Sequence, residues 1–246
     1  MMAEKLGILW DEEVDYEGKK PFKKEHVNNS YEYFSKKASD NDIKAFIGRF
    51  DWYKNEALDK AYSFDGEEWS KVENVRLDIV LDKYKFDEET ISLKKEIERK
   101  HSVLNSFEIE KVCKDKLLAY KKFPDHHPET REATVENVEE MLQKFEKVVV
   151  KPLSAHAGEG VEIIDDISKF DEQDGRIVQQ FIDSSCGIEE LDVEGVHDLR
   201  VVVVDGKPVV AYLRQPESGL IANVALGGSM KFIEVQDVPE SAMNIV

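Results

Sequence analysis

Asp205-Gly206 stands between two β-branched runs, residues 199–204 and 208–214. That pair suits a two-residue type I′ turn, which needs φ > 0 at both central positions and matches the twist of the strands it joins. It predicts an antiparallel hairpin there, and antiparallel hairpins are expected over the last hundred residues. Further short apolar runs at residues 147–151, 161–164, 176–182 and 231–235 predict a succession of strands around it. Before them, residues 107–122 carry helical spacing and break at Phe123-Pro124-Asp125-His126-His127-Pro128. A second helix is expected at residues 134–145, with Thr134 and Asn137 as candidate caps.

The first hundred residues read as α/β. Strands are expected at residues 5–10, 43–47 and 77–81 and helices at 31–39 and 86–100, with a turn at Phe64-Asp65-Gly66-Glu67-Glu68-Trp69. Nothing repeats and no segment is of low complexity. The fold class is therefore α/β, becoming α+β in the C-terminal half.

Composition excludes several functions. Fifty-two acidic against thirty-four basic residues give a net charge of -18 over 246 residues, which repels nucleic-acid phosphates. No apolar run approaches the 18 residues that a membrane span requires, and the first ten residues lack the features of a signal peptide. Cys113 and Cys186 lie far apart and match no metal or redox spacing, as expected of reduced thiols in the cytoplasm. No nucleic acid and no membrane are expected as partners.

Chemistry concentrates in Val148-Val149-Val150-Lys151-Pro152-Leu153-Ser154-Ala155-His156-Ala157-Gly158-Glu159-Gly160-Val161. A strand delivers Lys151 to its end, and a loop with Gly158 and Gly160 lets backbone amides close on phosphate oxygens. It is not a P-loop, since no Gly-Lys-Ser/Thr occurs and a strand follows. The plain alternative is a tight hairpin with a flexible tip. Gln179-Gln180-Phe181-Ile182 ends an apolar strand and offers amides to an adenine edge. Arg200 and Arg214 lie on paired strands in a chain with few arginines, and are expected to converge on one anion. His126 and His127 read as loop histidines, and Ser154 and Ser229 have no nearby base.

From about Asn105 onward these pieces resemble, in order, an ATP-grasp ligase of the glutathione synthetase and ribosomal-protein glutamate ligase type. Asn105 with Asp115-Lys116 resembles the entry helix whose lysine contacts nucleotide phosphates, and Pro128-Glu129-Thr130 resembles the segment after it. Val150-Lys151-Pro152 with Gly158-Glu159-Gly160-Val161 resembles the second phosphate lysine and its lid. Gln179-Gln180-Phe181-Ile182 is similar to the adenine hinge, with Gln180 in place of the usual acid. Asp198-Leu199-Arg200, Arg214, Asn223 and Gly227-Gly228 resemble the segments lining the acyl-phosphate site.

The resemblance implies an ATP-grasp fold with a smaller N-terminal α/β pre-grasp domain. Residues 1–105 would form that domain, 106–175 the lid subdomain and 176–246 the start of a second subdomain, truncated at its C-terminal end. It implies an ATP-dependent carboxylate–amine ligase acting through an acyl phosphate on a small carboxylate and amine pair. Lys116, Lys151, Gly158, Gly160, Gln179, Gln180, Phe181, Ile182 and Asn223 would bind ATP, and Arg200 and Arg214 would serve catalysis. The family's Mg2+ ligands lie on later strands, whereas this sequence continues for only eighteen residues past Gly228. No metal residue is assigned, and the ligands are expected beyond residue 246. A homo-oligomer or a completing partner chain is expected accordingly. The alternative is a nucleotide-binding regulatory or scaffold module without catalysis.

Overall fold

The computed structural model describes residues 3–154, 159–220 and 227–245. The chain divides into two compact units, Met1–Lys111 and Val112–Val246. Among the described residues no helix is long and apolar enough to cross a membrane.

The first unit is built on β1 (Glu4–Trp10) and β2 (Ile43–Arg49), each with four consecutive buried residues. Strands buried on both faces read as continuous apolar runs rather than as alternating ones. The two pair in parallel, joined across α1 (Glu25–Ser39). Three antiparallel strands, β3 (Tyr53–Lys54), β4 (Ala57–Phe64) and β5 (Trp69–Arg76), extend the sheet beyond β2. The expected turn at residues 64–69 joins β4 to β5. On the other side β6 (Ile79–Asp82) and β7 (Ser102–Leu104) add in parallel, giving the order β3-β4-β2-β1-β6-β7 with β5 on β4. Alternate residues feed opposite cores: Leu6, Ile8, Ala45 and Ile47 pack on one face, Leu9 and Phe46 on the other.

The helix expected at residues 86–100 is shorter, α2 (Ile91–Lys100). Thr90 explains the difference. Its hydroxyl donates to the Lys85 carbonyl at 2.7 Å, and its amide donates to the Asp87 carboxylate at 3.1 Å. Such side-chain bonds give the backbone a turn in place of a helical ladder. The long helix expected at 107–122 is likewise two, α3 (Phe107–Lys114) and α4 (Lys116–Lys122). Asp115 separates them because its carboxylate accepts from the Leu117 and Leu118 amides at 3.0 and 2.9 Å, the bond pattern of a helix N-cap.

In the second unit β8 (Thr130–Glu132), β9 (Val148–Pro152), β10 (Glu162–Ile164) and β11 (Arg176–Gln180) form an antiparallel sheet in the order β10-β9-β11-β8. α5 (Val135–Phe145), capped by Thr134, lays Val138 and Met141 on Val148, Val150 and Val178. A separate antiparallel sheet holds β12 (Asp198–Val204), β13 (Lys207–Gln215) and β14 (Ser229–Ile233). Asp205 and Gly206 have φ of 51° and 69°, as the type I′ turn requires.

The expected subdomain boundary at 175/176 does not coincide with the change of sheet. β11 is hydrogen bonded along β9, from Arg176↔Pro152 to Gln180↔Val148, so the second sheet begins only after residue 180. β11 also stops two residues short of the expected strand end, leaving Phe181 and Ile182 in the connector.

Candidate active site

Lys116 opens α4, directly after its cap Asp115. Its ammonium donates to the carbonyls of Pro152 and Leu153 at 3.1 and 2.9 Å, where β9 runs out. Lys151, one residue upstream on β9, donates to the Gln179 Oε1 of β11 at 2.6 Å. Both lysines are held below the ordinary lysine pKa. Burial is the main cause for each, opposed at Lys116 by Asp115 and reinforced at Lys151 by the charge of Lys116. Two cations from separate elements thus share one region.

Gln179 is itself oriented. Its Nε2 donates at 2.7 Å to the Oγ1 of Thr130, which is 2% exposed and in turn donates to the Pro128 carbonyl at 2.8 Å. The relay fixes which end of the amide faces Lys151. Alongside it, the Gln180 amide donates to the Glu129 carbonyl at 2.9 Å. The Glu129 carboxylate accepts from Lys144 and Arg131, which hold its pKa below the usual carboxylate range.

Over this relay lies a cleft of about 340 Å³ within the second unit. Val149, Val161 and Ile163 give it apolar walls, Lys151 and Gln179 a polar floor, and Phe181 and Ile182 part of its rim. The volume falls in the range of small-molecule sites. Gly160 sits at φ 67°, and a Cβ there would lie 2.9 Å from Pro152 Cγ, so the loop leading into β10 needs glycine on both counts. Arg176 reaches back to this loop, with Nη2 3.4 Å from the Gly160 carbonyl and 2.8 Å from Glu162. Gly158, His156 and Asn223 lie outside the described residues.

Asp198 lines the cleft from the second sheet. Facing it across the β12–β13 ladder, Arg214 donates through Nε at 3.0 Å and also through Nη2, while Arg200 donates through Nε at 3.1 Å. The two arginines do converge on one anion, and it is the chain's own carboxylate. A clasp that the sequence did not suggest ties this strand to the connector: Ser184 Oγ donates to the His197 carbonyl at 3.0 Å and accepts from its amide at 3.2 Å. A serine and a histidine thirteen residues apart in loops carry no periodic signal.

Nor did any motif mark the first unit, yet it holds a cavity of about 720 Å³ walled by Trp10, Tyr16, Phe22 and Trp52, with Arg49 among them. It opens where β1 and β2 end at their carboxyl sides, the usual position of ligand crevices in parallel sheets. Among the described residues no group of three or more His, Cys, Asp or Glu side chains converges to hold a metal ion.

The fold has known counterparts. D-alanyl-alanine synthetase A from Vibrio cholerae O1 biovar eltor str. N16961 is similar with a TM-score of 0.56 at 12% identity, over 100% of this chain and 78% of that one. A RiPP-associated ATP-grasp ligase from Chryseobacterium gregarium, in complex with ADP and a leader and core peptide, gives 0.55 at 14% identity over 98% and 80%. A D-cycloserine synthetase gives 0.53 at 12% identity over 97% and 79%. No curated protein matches. In sequence, residues 115–245 match the family described as prokaryotic glutathione synthetase, ATP-grasp domain. That stretch runs from the cap of α4 past Gln179 and both arginines, and spans more than half of the chain, which thereby belongs to the ATP-grasp ligase family of prokaryotic glutathione synthetase type.

Proposed function

We propose that the protein is an ATP-dependent carboxylate–amine ligase of the cytoplasm. The observation that carries this reading is the apolar cleft with Lys151 in its floor, Lys116 bonded to the carbonyls that end the same strand, and Asp198, held by Arg200 and Arg214, in its lining. Phe181 and Ile182, with Gln180, would receive the adenine edge, and Lys116 and Lys151 the phosphates. Gly158 and Gly160 would let the lid approach the phosphates, and Asn223 would contribute from its segment.

The chemistry is positioning and charge neutralisation. A substrate carboxylate oxygen attacks the γ-phosphorus as the bond to the β-phosphate oxygen breaks, releasing ADP and leaving an acyl phosphate. An amine nitrogen then attacks the acyl carbon. The C–N bond forms, the C–O bond to phosphate breaks, and inorganic phosphate leaves while the amine proton passes to solvent. Arg214 would neutralise the transferred group and Arg200 would orient the carboxylate. Magnesium, when bound, supplies further charge neutralisation in such sites; no ligand for it is named among the residues described. The cavity at the carboxyl ends of β1 and β2 is where the first unit would hold a substrate group.

Calorimetry with ADP and a non-hydrolysable ATP analogue tests the nucleotide half. Lys151→Ala is expected to weaken binding by tenfold or more, since a charge-assisted hydrogen bond contributes about 1.5–3 kcal/mol. His156→Ala is expected to do less. ADP release that depends on both a carboxylate and an amine tests the other half. No nucleotide binding by the natural protein, or an unchanged Lys151→Ala, would overturn the reading. Binding without turnover would make the protein a nucleotide-binding module.

A further inference from the structure

The second sheet has two unlike faces. Leu199, Leu213 and Ile233 point to one side and pack with Ile188, Leu191 and Val193. The residues between them share the other side, in cross-strand rows read directly from the register. Asp198, Arg214 and Met230 form one row, Arg200, Tyr212 and Phe232 the next, and Val202 with Val210 the third. Phe232 is 67% exposed, Met230 48% and Val202 41%, and the Tyr212 and Phe232 rings lie 6.1 Å apart. An open apolar strip is unusual on a chain this charged, and strips of this kind mark binding surfaces.

What distinguishes this strip is its charged end. It begins at Asp198, which lines the nucleotide cleft, and at the two guanidiniums bound to it. Alternate residues on a strand are about 7 Å apart. An occupant that puts an anion against Arg200 therefore lays its next few atoms on Tyr212 and Phe232, then on Val202 and Val210. The charges ask for a carboxylate and the rows beyond ask for apolar bulk close to it.

We propose that the carboxylate substrate carries an aromatic or branched aliphatic group beside the carboxyl to be activated, and that Val202, Val210, Tyr212, Met230 and Phe232 receive that group. The proposal rests on the ligase reading above and gives its acyl substrate a chemical class. Tyr212 and Phe232 then act as specificity determinants, with no part in nucleotide binding.

The test uses the natural full-length protein saturated with ADP, titrated calorimetrically with N-acetylphenylalanine, N-acetylglycine and N-acetylphenylalaninamide. N-acetylphenylalanine should bind at least tenfold tighter than N-acetylglycine, which lacks the bulk, and than the amide, which lacks the charge. Phe232→Ser and, independently, Val202→Ser should erase most of the preference for phenylalanine over glycine while leaving the ADP affinity unchanged. The retained ADP affinity shows that the variants are folded, and Phe232→Leu should keep the preference. Equal affinity for the three probes would overturn the proposal, as would full preference in both serine variants. A change in oligomeric state in those variants without a change in preference would make the strip a contact between copies and overturn it too. Failure of ADP itself to bind would instead remove the nucleotide reading on which the proposal stands.

Discussion

Thr130→Val isolates the relay beneath the cleft. The two side chains have nearly the same shape, and the substitution exchanges one hydroxyl for a methyl in a site that is 2% exposed. That hydroxyl accepts from Gln179 Nε2 at 2.7 Å and donates to the Pro128 carbonyl at 2.8 Å. Its loss strands a donor and an acceptor. A buried polar group without a partner costs about 1–3 kcal/mol, and because Gln179 is only half-buried, water can rescue part of the loss. The expected destabilisation is therefore about 1–3 kcal/mol in total, read from urea unfolding followed by circular dichroism at pH 7. Thr130→Ser keeps the hydroxyl and removes one methyl, worth roughly 0.8 kcal/mol.

The same substitution should reach nucleotide binding. Without Thr130 to hold its amino end, the Gln179 amide is free to turn that end toward Lys151, which then faces a donor in place of an acceptor. A penalty of about 1 kcal/mol on the placement of the ammonium corresponds to roughly a fivefold weaker ADP complex. Serine should restore the wild-type affinity. If valine binds ADP as tightly as threonine does, or is equally stable to urea, the orienting role of the hydroxyl is refuted.

Bound phosphates should raise the depressed pKa values of Lys116 and Lys151, so ADP binding at alkaline pH should take up protons and weaken as pH rises through those values; calorimetry in buffers of different ionisation heat measures the uptake. Because both lysines bind protons less readily folded than unfolded, their penalty on the free protein is full below the lowered values and fades as pH rises toward 10.5. Glu129 has the opposite sense: its carboxylate is held low by Lys144 and Arg131, so its contribution is present above 4.5 and is lost as pH falls through the folded value. Glu129→Gln should accordingly destabilise at pH 7 and converge with wild type in acid unfolding. Gly206→Ala meets no atom within 4 Å and carries only the strain of a positive φ, about 1–2 kcal/mol, whereas Gly160→Ala adds a clash with Pro152 and should lose more in thermal unfolding.

Much of the architecture was legible because it rests on local chemistry. The Asp205-Gly206 turn, the Thr134 cap and the apolar runs of β1, β2 and β9 are each decided within a few residues. The helix ends that differ from expectation have the same kind of cause: Thr90 and Asp115 compete for backbone amides that apolar spacing alone assigns to a helix. Sheet membership was harder, since nothing within residues 176–180 says that this strand pairs with β9 rather than with β12. At the site, the motif residues from Asp115 onward that fall within the described segments lie in the second unit, Asn105 lies in the first, and their side-chain partners were invisible. Thr130 under Gln179, Asp198 between the arginines and Ser184 on His197 are contacts over 49, 16 and 13 residues, set by the fold and not by spacing. Lys94 makes the same point in the first unit. It reads as one charge among many on α2, yet it is buried between Asp82 and Glu110.

The net charge of -18 argues against a polyanion and is still compatible with the proposed nucleotide, and the reason is distance. At physiological ionic strength exposed charges are screened beyond about 8 Å, so the acidic surface governs approach over large areas, while a cleft feels mainly its own walls. Its wall carries the Lys151 ammonium, which burial and the charge of Lys116 make reluctant to stay charged, and burial does the same to Lys116 where β9 runs out. On the proposed reading an arriving phosphate would relieve both penalties. The arginines are prepared in the other direction, since Asp198 already neutralises and aligns them before any ligand arrives. On the proposed reading a substrate carboxylate would share the guanidiniums with Asp198. Arg214, bound through two nitrogens and 18% exposed, is held more firmly than Arg200, bound through one and 49% exposed. On the proposed reading Arg200 would be the arginine that turns to meet a substrate, and Arg214 the one whose position the fold has set beforehand.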